Sequence, residues 1–313
     1  MNFDSIKESI PHASPIQSQE LSLDGEFQFD CYPGIACFNQ CCKKSDIQLL
    51  PYDILKLKRR KGMTSSEFVS RYTLPFEMDH HGMPGLKLGN KQDSSECVFL
   101  TEEGCSVYQD RPTACRYYAL GNMGVHKEGS SNVENVYFAV KEAHCLGHKE
   151  PKKQTVREYC KAQGIEAYDV MNDEWRDIVI KKRSSGPTVG APSERSLQLF
   201  DMCSYDMDSF KGFIQTPGFR DVFDLGDDEI DKLCEDEDRR LHFSLRFLKQ
   251  VLFGENTIPI KEGARERRAA DRKNVWKDRR EKEVSQHRED LESQKYEGSQ
   301  QFEGIGHKSG KED

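Results

Sequence analysis

The chain has no run of about 18 apolar residues, so neither a transmembrane helix nor membrane insertion is expected. Residues 1–27 lack a cationic start followed by an apolar stretch, the pattern of a secretory signal, and a cytoplasmic location is therefore expected. Basic excess is missing as well. With a formal charge of −8 and an isoelectric point of about 5.7, the chain lacks the surface that phosphate contacts need, so no nucleic acid is expected as a partner. The G-x-G-x-x-G loop, the P-loop and the H-E-x-x-H pair are all absent, which removes common nucleotide and metalloprotease sites. Paired Cys-x2-Cys knuckles are absent too, and with them the usual mark of a zinc ribbon.

What the chain has is cysteine. Eleven occur in 313 residues, and eight of them, Cys31, Cys37, Cys41, Cys42, Cys97, Cys105, Cys115 and Cys145, fall in one half. In a reducing cytosol disulfides do not persist, and an odd count leaves one thiol over. Thiolates crowded together repel unless a cation or cluster sits between them, so these eight read as ligands of a metal ion or cluster.

Local signals divide the chain. Residues 1–26 carry few apolar positions and read as a mobile segment, followed by a cysteine-cluster metal-binding domain over 27–182. The latter includes a helix from Pro51 to about Lys61, with proline first and Gly62 beyond its end. Thr64 with Glu67, and Thr155 with Glu158, have capping-box spacing and each open a helix. A helix over Ala167–Lys182 follows the second. Residues 74–89 read as loop ending in a strand at Leu86–Leu88, and Val136–Val140 as another strand. Cys97–Leu100 and Cys105–Tyr108 read as two strands joined by a glycine-containing turn, which brings Cys97 and Cys105 close.

Beyond these lie a linker or exposed loop over 183–193, a helical C-terminal region over 194–260, and a charged exposed helix and disordered tail over 261–313. Within the helical region one helical pattern spans Asp227 to Phe253. The fold class is α+β: a small cysteine-rich, metal-organised domain of short strands and helices, then helices.

Cys37 and Cys41 are four apart, and on one helical turn their spacing suits chelation. Cys31 folds back through the Pro33-Gly34 turn as a third sulfur. Cys41 and Cys42 are harder to use at one centre, because adjacent side chains diverge on a helix or strand, so they serve two centres or one of them stands behind the other. Eight thiolates suffice for two four-coordinate sites. Four thiolates on a divalent ion leave net negative charge, and Arg111 and Arg116, flanking Cys115, are placed to offset it. Zinc and an iron–sulfur cluster both accept such a set. His80, His81, His126, His144 and His148 share this half; His144, beside Cys145, is the best auxiliary ligand among them but reads as solvent-exposed. Cys160, Cys203 and Cys234, alone on helices, read as small buried residues.

Phe29-Asp30-Cys31 through Cys37 and Cys41-Cys42, then Leu50 to Leu57, Glu96 to Leu100, Gly104 to Tyr108 and Asp110-Arg111-Pro112-Thr113-Ala114-Cys115-Arg116 form an ordered series of motifs. Together they resemble the YkgJ family of cysteine-cluster proteins, a zinc- or iron-chelating domain, over roughly Phe27 to Cys145. The resemblance implies that Cys37, Cys41, Cys42, Cys97, Cys105 and Cys115 are ligands or their neighbours, and that the Arg-Pro turn belongs to the site. The Cys31–Cys37 gap is wider than the family's spacing, and Tyr117 to Leu120 replaces a proline-containing end. Three functions follow as alternatives: a zinc- or iron-chelating protein; a cluster-dependent protein-modifying enzyme such as the protein lysine methyltransferase that the family includes; and an interaction protein with a purely structural metal, whose charged C-terminal region binds a protein partner.

Overall fold

The computed structural model describes residues 16–78, 83–126, 133–184 and 194–267. The lead-in before residue 16, His80 and His81, the side chain of His126, most of the 183–193 linker and the tail from 268 lie outside them. The chain divides into two compact units, Met1–Thr216 with Leu225–Ile258, and Pro217–Asp224 with Pro259–Asp313.

The first unit begins with strands β1 (Ile16–Leu21), β2 (Glu26–Gln28) and β3 (Gln48–Leu49). Helices α1 (Pro51–Lys61) and α2 (Ser65–Tyr72) come next, then β4 (Thr73–Glu77), β5 (Pro84–Leu88), β6 (Leu100–Thr101) and β7 (Gly104–Cys105). Helix α3 (Thr113–Tyr117), strands β8 (Leu120–His126), β9 (Val133–Val140) and β10 (Lys153–Thr155), and helices α4 (Val156–Gln163) and α5 (Ile165–Ser184) complete the cysteine-bearing part. The class is α+β, and every strand pair is antiparallel: β1-β9-β8, β10-β2, β3-β5-β4 and β6-β7.

The helix signals operate as their chemistry requires. Leu50 N donates to Asp53 Oδ2 at 2.9 Å to start α1, and Gly62, at φ 63°, ends it in the left-handed conformation. Thr64 and Glu67 cap each other at 2.9 and 3.3 Å, and Thr155 and Glu158 do so at 2.8 and 3.2 Å. Strands β5 and β9 are longer than the sequence predicts, whereas β6 and β7, expected over Cys97–Leu100 and Cys105–Tyr108, are two residues each. Strand β4 contains Pro75, which reads as loop but is tolerated here because β4 is a sheet edge. Strand β8 is obscured by its glycines, and Gly121 is needed: opposite Phe138 in the register, an added Cβ would lie 2.1 Å from that ring.

One core cluster ties these parts together. Phe27 in β2 and Phe29 just after it meet Tyr159 of α4 edge-on at 5.4 and 6.0 Å, among Tyr117, Leu120 and Ile165. Each such side chain contributes roughly 1.5–3 kcal/mol by leaving water. Cys145 and Cys160 pack against this cluster from outside.

The rest of the first unit is helical: α6 (Glu194–Tyr205), α7 (Met207–Gln215), and, after α8 (Pro217–Arg220) of the second unit, α9 (Asp227–Glu235) and α10 (Glu237–Phe253). The single helical pattern over Asp227–Phe253 is broken at Asp236, whose carboxylate accepts from Asp238 N and Arg239 N at 2.9 and 3.0 Å as an N-cap. A short acidic side chain gains more by capping than by lying inside a helix. Leu241, Leu245 and Leu248 are fully buried as the pattern requires, whereas Val251 is exposed. In the second unit Phe219 and Phe223 stack at 4.5 Å, and Lys261 N bonds to Val222 O at 2.9 Å.

Candidate metal centre

The first four cysteines lie on consecutive tight turns. Ile35 N reaches Tyr32 O at 3.3 Å across Pro33-Gly34, with Gly34 at φ 108°, the turn expected to fold Cys31 back. Bonds from Phe38 N to Ile35 O, Gln40 N to Cys37 O and Cys42 N to Asn39 O continue the winding into a 3-10 turn over Gln40–Cys42. Asn39, at φ 65°, is left-handed, so Cys37 and Cys41 do not share an α-helical turn. Within the 3-10 turn the sulfurs of Cys41 and Cys42 lie 3.9 Å apart. Sulfurs on a tetrahedral zinc are about 3.8 Å apart. The Cys42 thiol hydrogen bond draws Cys41 down to about 7 and pushes Cys42 up.

The segment of Cys97 comes to Cys42 directly. Cys97 N donates to Cys42 O at 2.7 Å, while Cys97 bridges Asn90. The expected Cys97–Cys105 hairpin exists, but its ladder is only Leu100 with Cys105 and Thr101 with Gly104. Cys97 itself is in a turn closed by Leu100 N to Cys97 O at 3.0 Å. Cys115 is placed from a distance: Thr113, which starts α3, donates its N–H and hydroxyl to Asp53 Oδ1 at 2.8 and 2.6 Å. Asp53 is wholly buried, and burial raises its carboxyl to about 6 against the pull of those bonds. Burial, reinforced by Cys97 and Cys105, pushes the Cys115 thiol far up.

Backbone bonds also bring the segments of Cys31, Cys37 and Cys145 together. Asp30 N bonds to Gly147 O and Phe29 N to Lys152 O, which lays the Cys31 strand beside the Cys145 turn. Leu146 N donates to Cys37 Sγ at 3.2 Å. Burial and then Cys41, Cys37 and Cys145 raise Cys31 to about 11. Cys41 adds to the upward push of burial on Cys31, Cys145, Cys97, Cys105 and Cys115 alike. Among the described residues no three Cys, His, Asp or Glu side chains are already arranged as a metal shell. The donor chemistry nonetheless fits a thiophilic metal: eight thiols, a 3.9 Å sulfur pair and a backbone N–H aimed at sulfur.

The two arginines bond to oxygen. Arg116 donates to the carbonyls of Arg111 (3.1 Å), Gln163 (2.7 Å) and Gln109 and stacks on Tyr168, tying the Cys115 turn to α4 and α5. Arg111 bonds to Tyr108 O at 2.8 Å and to Gln163, and its charge favours the Cys105 thiolate. His148 is held by Val140 O and Gln28 O, whereas His144 is exposed beside Glu142 at 3.6 Å. Of the three cysteines expected to be buried on helices, Cys203 is fully buried, Cys160 and Cys234 are half-buried, and Cys234 Sγ accepts from Gln215 at 3.1 Å. The sequence reading passed over Asp53, which was visible only as an acid in a first turn.

Residues 30–161 match the family model CxxCxxCC, described as "Putative zinc- or iron-chelating domain". No curated protein and no solved structure matches the chain.

Proposed function

We propose, from residues 30–161 as a domain of the zinc- or iron-chelating CxxCxxCC family, that the chain is a cytoplasmic metal-binding protein whose principal centre is held by Cys42, Cys97, Cys105 and Cys115. The observation that carries this reading is a set of ties around these cysteines: the Cys97–Cys42 backbone bond, the Leu100–Cys105 ladder and the Asp53–Thr113 bridge two residues before Cys115. Ionised thiols collected in a buried place are costly unless a cation offsets them. A bound metal or cluster would neutralise the thiolates and join segments whose own hairpin is two residues long. Asp53 positions Cys115, and Arg111 supplies positive charge at Cys105.

Four sulfurs without histidine suit Zn2+ or an iron–sulfur cluster equally. All eleven cysteines are free thiols, a state that a reducing compartment maintains. Anaerobic purification followed by metal analysis, sulfide assay and visible absorption tests the proposal. Brown protein with labile sulfide identifies a cluster, and colourless protein with zinc identifies the ion. Serine at Cys42, Cys97, Cys105 or Cys115 should abolish the corresponding signal, and unchanged metal content in all four variants would refute the assignment.

A further inference from the structure

Cys41 and Cys42 carry two sulfurs in contact, 3.9 Å apart, on the 3-10 turn Gln40–Cys42. That turn is pinned on both sides of the pair. Cys42 N bonds to Asn39 O at 3.0 Å and Lys43 N to Gln40 O at 3.1 Å, while Cys97 N and the Ser95 hydroxyl donate to the carbonyls of Cys42 and Lys43 at 2.7 and 2.8 Å. The pinned backbone keeps the two sulfurs near each other, and such proximity raises the effective concentration of one reacting group at the other. Access differs between them. Cys41 is exposed and Cys42 half-buried, so a small reagent in solvent reaches Cys41 first.

We propose that Cys41 and Cys42 form an oxidation site, at which hydrogen peroxide converts the two thiols into a reversible vicinal disulfide. The ionised Cys41 sulfur attacks one peroxide oxygen, the O–O bond breaks, and the leaving oxygen takes up a proton and departs as water, so that Cys41 becomes a sulfenic acid. The Cys42 sulfur then gives up its proton and attacks the Cys41 sulfur; the S–O bond breaks, the S–S bond forms and a second water leaves. Two thiols lose two electrons and two protons, and the peroxide gains them. Neighbours across a trans peptide have Cα atoms about 3.8 Å apart, below the roughly 4.4–6.8 Å usual in a disulfide, which strains the bond and makes it easier for a dithiol to reduce. Lability of this kind separates a regulatory disulfide from a structural one. Oxidation also draws the Cys42 sulfur away from the principal centre; that consequence, unlike the pair itself, rests on the metal-binding reading above.

Peroxide treatment of the full chain, purified anaerobically, tests this. Equimolar hydrogen peroxide is added, free thiols are blocked with iodoacetamide, the digest is analysed by mass spectrometry, and metal released from the same sample is followed with a chromophoric chelator. The expected result is a peptide carrying Cys41 and Cys42 that is unalkylated and lighter by two hydrogens, and that becomes doubly alkylated after dithiothreitol. Cys42→Ser should stop at the first step and leave a Cys41 sulfenic acid that dimedone labels. Cys41→Ser, at an exposed position where folding is least at risk, should leave Cys42 alkylated. Peroxide that leaves both residues alkylated in the wild type, or that joins Cys41 to any other cysteine, would overturn the proposal. Formation of the Cys41–Cys42 disulfide without metal release would uphold the pair and instead remove Cys42 from the principal centre.

Discussion

Asp53 and Thr113 are sixty residues apart in sequence, yet both Thr113 donors end on one oxygen of the buried Asp53 carboxyl, at 2.8 and 2.6 Å. The other oxygen accepts from Leu50 N at 2.9 Å, so a single side chain starts α1 and fixes the start of α3 two residues before Cys115. Asp53→Ala leaves three donors without their partner, two of them on the buried Thr113, and is expected to cost roughly 3 kcal/mol or more. Asp53→Asn, which keeps an acceptor, should cost less and retain more metal. Urea unfolding and metal analysis of the two variants check this; wild-type stability and metal content in Asp53→Ala would contradict it.

Lys58 is buried between Asp208 (2.9 Å) and Glu237, and the latter also binds Arg59. Burial pushes both carboxyls up, but the bonds from Ser65 N and Lys58 to Asp208, and from Lys58 and Arg59 to Glu237, outweigh it and hold both below their ordinary values. With folded values depressed, the stabilisation is complete above the unfolded carboxylate range and is lost as pH falls through the depressed values. Lys58→Met should therefore be less stable at neutral pH by roughly 2–3 kcal/mol, below the range for a fully buried pair because both carboxylates reach solvent. Its stability should also fall less on acidification than that of the wild type. Parallel stability–pH curves for the two proteins would defeat this account.

The cysteines outside the cluster should behave oppositely to those within it. Cys203→Ser places a hydroxyl where the side chain is wholly buried, at a cost of about 1–3 kcal/mol, yet metal content should remain. Cys42→Ser should lose metal. Metal analysis beside thermal unfolding separates the two effects, and a Cys203→Ser protein that folds but lacks metal would return that residue to the site.

The periodic helices were legible from sequence because their ends carry their own chemistry: Pro51 and Gly62, Thr64 with Glu67, Thr155 with Glu158. Strands β4 and β8 were not, because Pro75 and the glycines of β8 obscure the alternation and only their sheet partners make sense of them. The division at Asp236 depends on which of several neighbouring acids caps the helix. At the candidate centre the cysteine positions were plain, but the Cys41–Cys42 contact was not.

Residues 268–313 are almost wholly polar and charged in sequence, and the charged segment from Lys261 was read as the candidate surface for a protein partner. Lys261 is bonded to Val222 and Ala264 is buried, so truncation belongs after Arg267. Such a protein should keep its metal content and melting temperature while losing any partner that uses the removed charge. A drop in soluble, metal-loaded protein would place part of that segment in the folded core.

Complete removal of metal from the anaerobically purified chain, followed by thermal unfolding, tests most directly whether the thiol centre organises this fold. Binding free energy at such a centre is folding free energy, and the cysteine segments are otherwise joined by single backbone bonds and a two-residue ladder. The expected result is a markedly lower melting temperature that recovers when metal, with sulfide for a cluster, is restored. An apo-protein that melts like the loaded one would contradict the account.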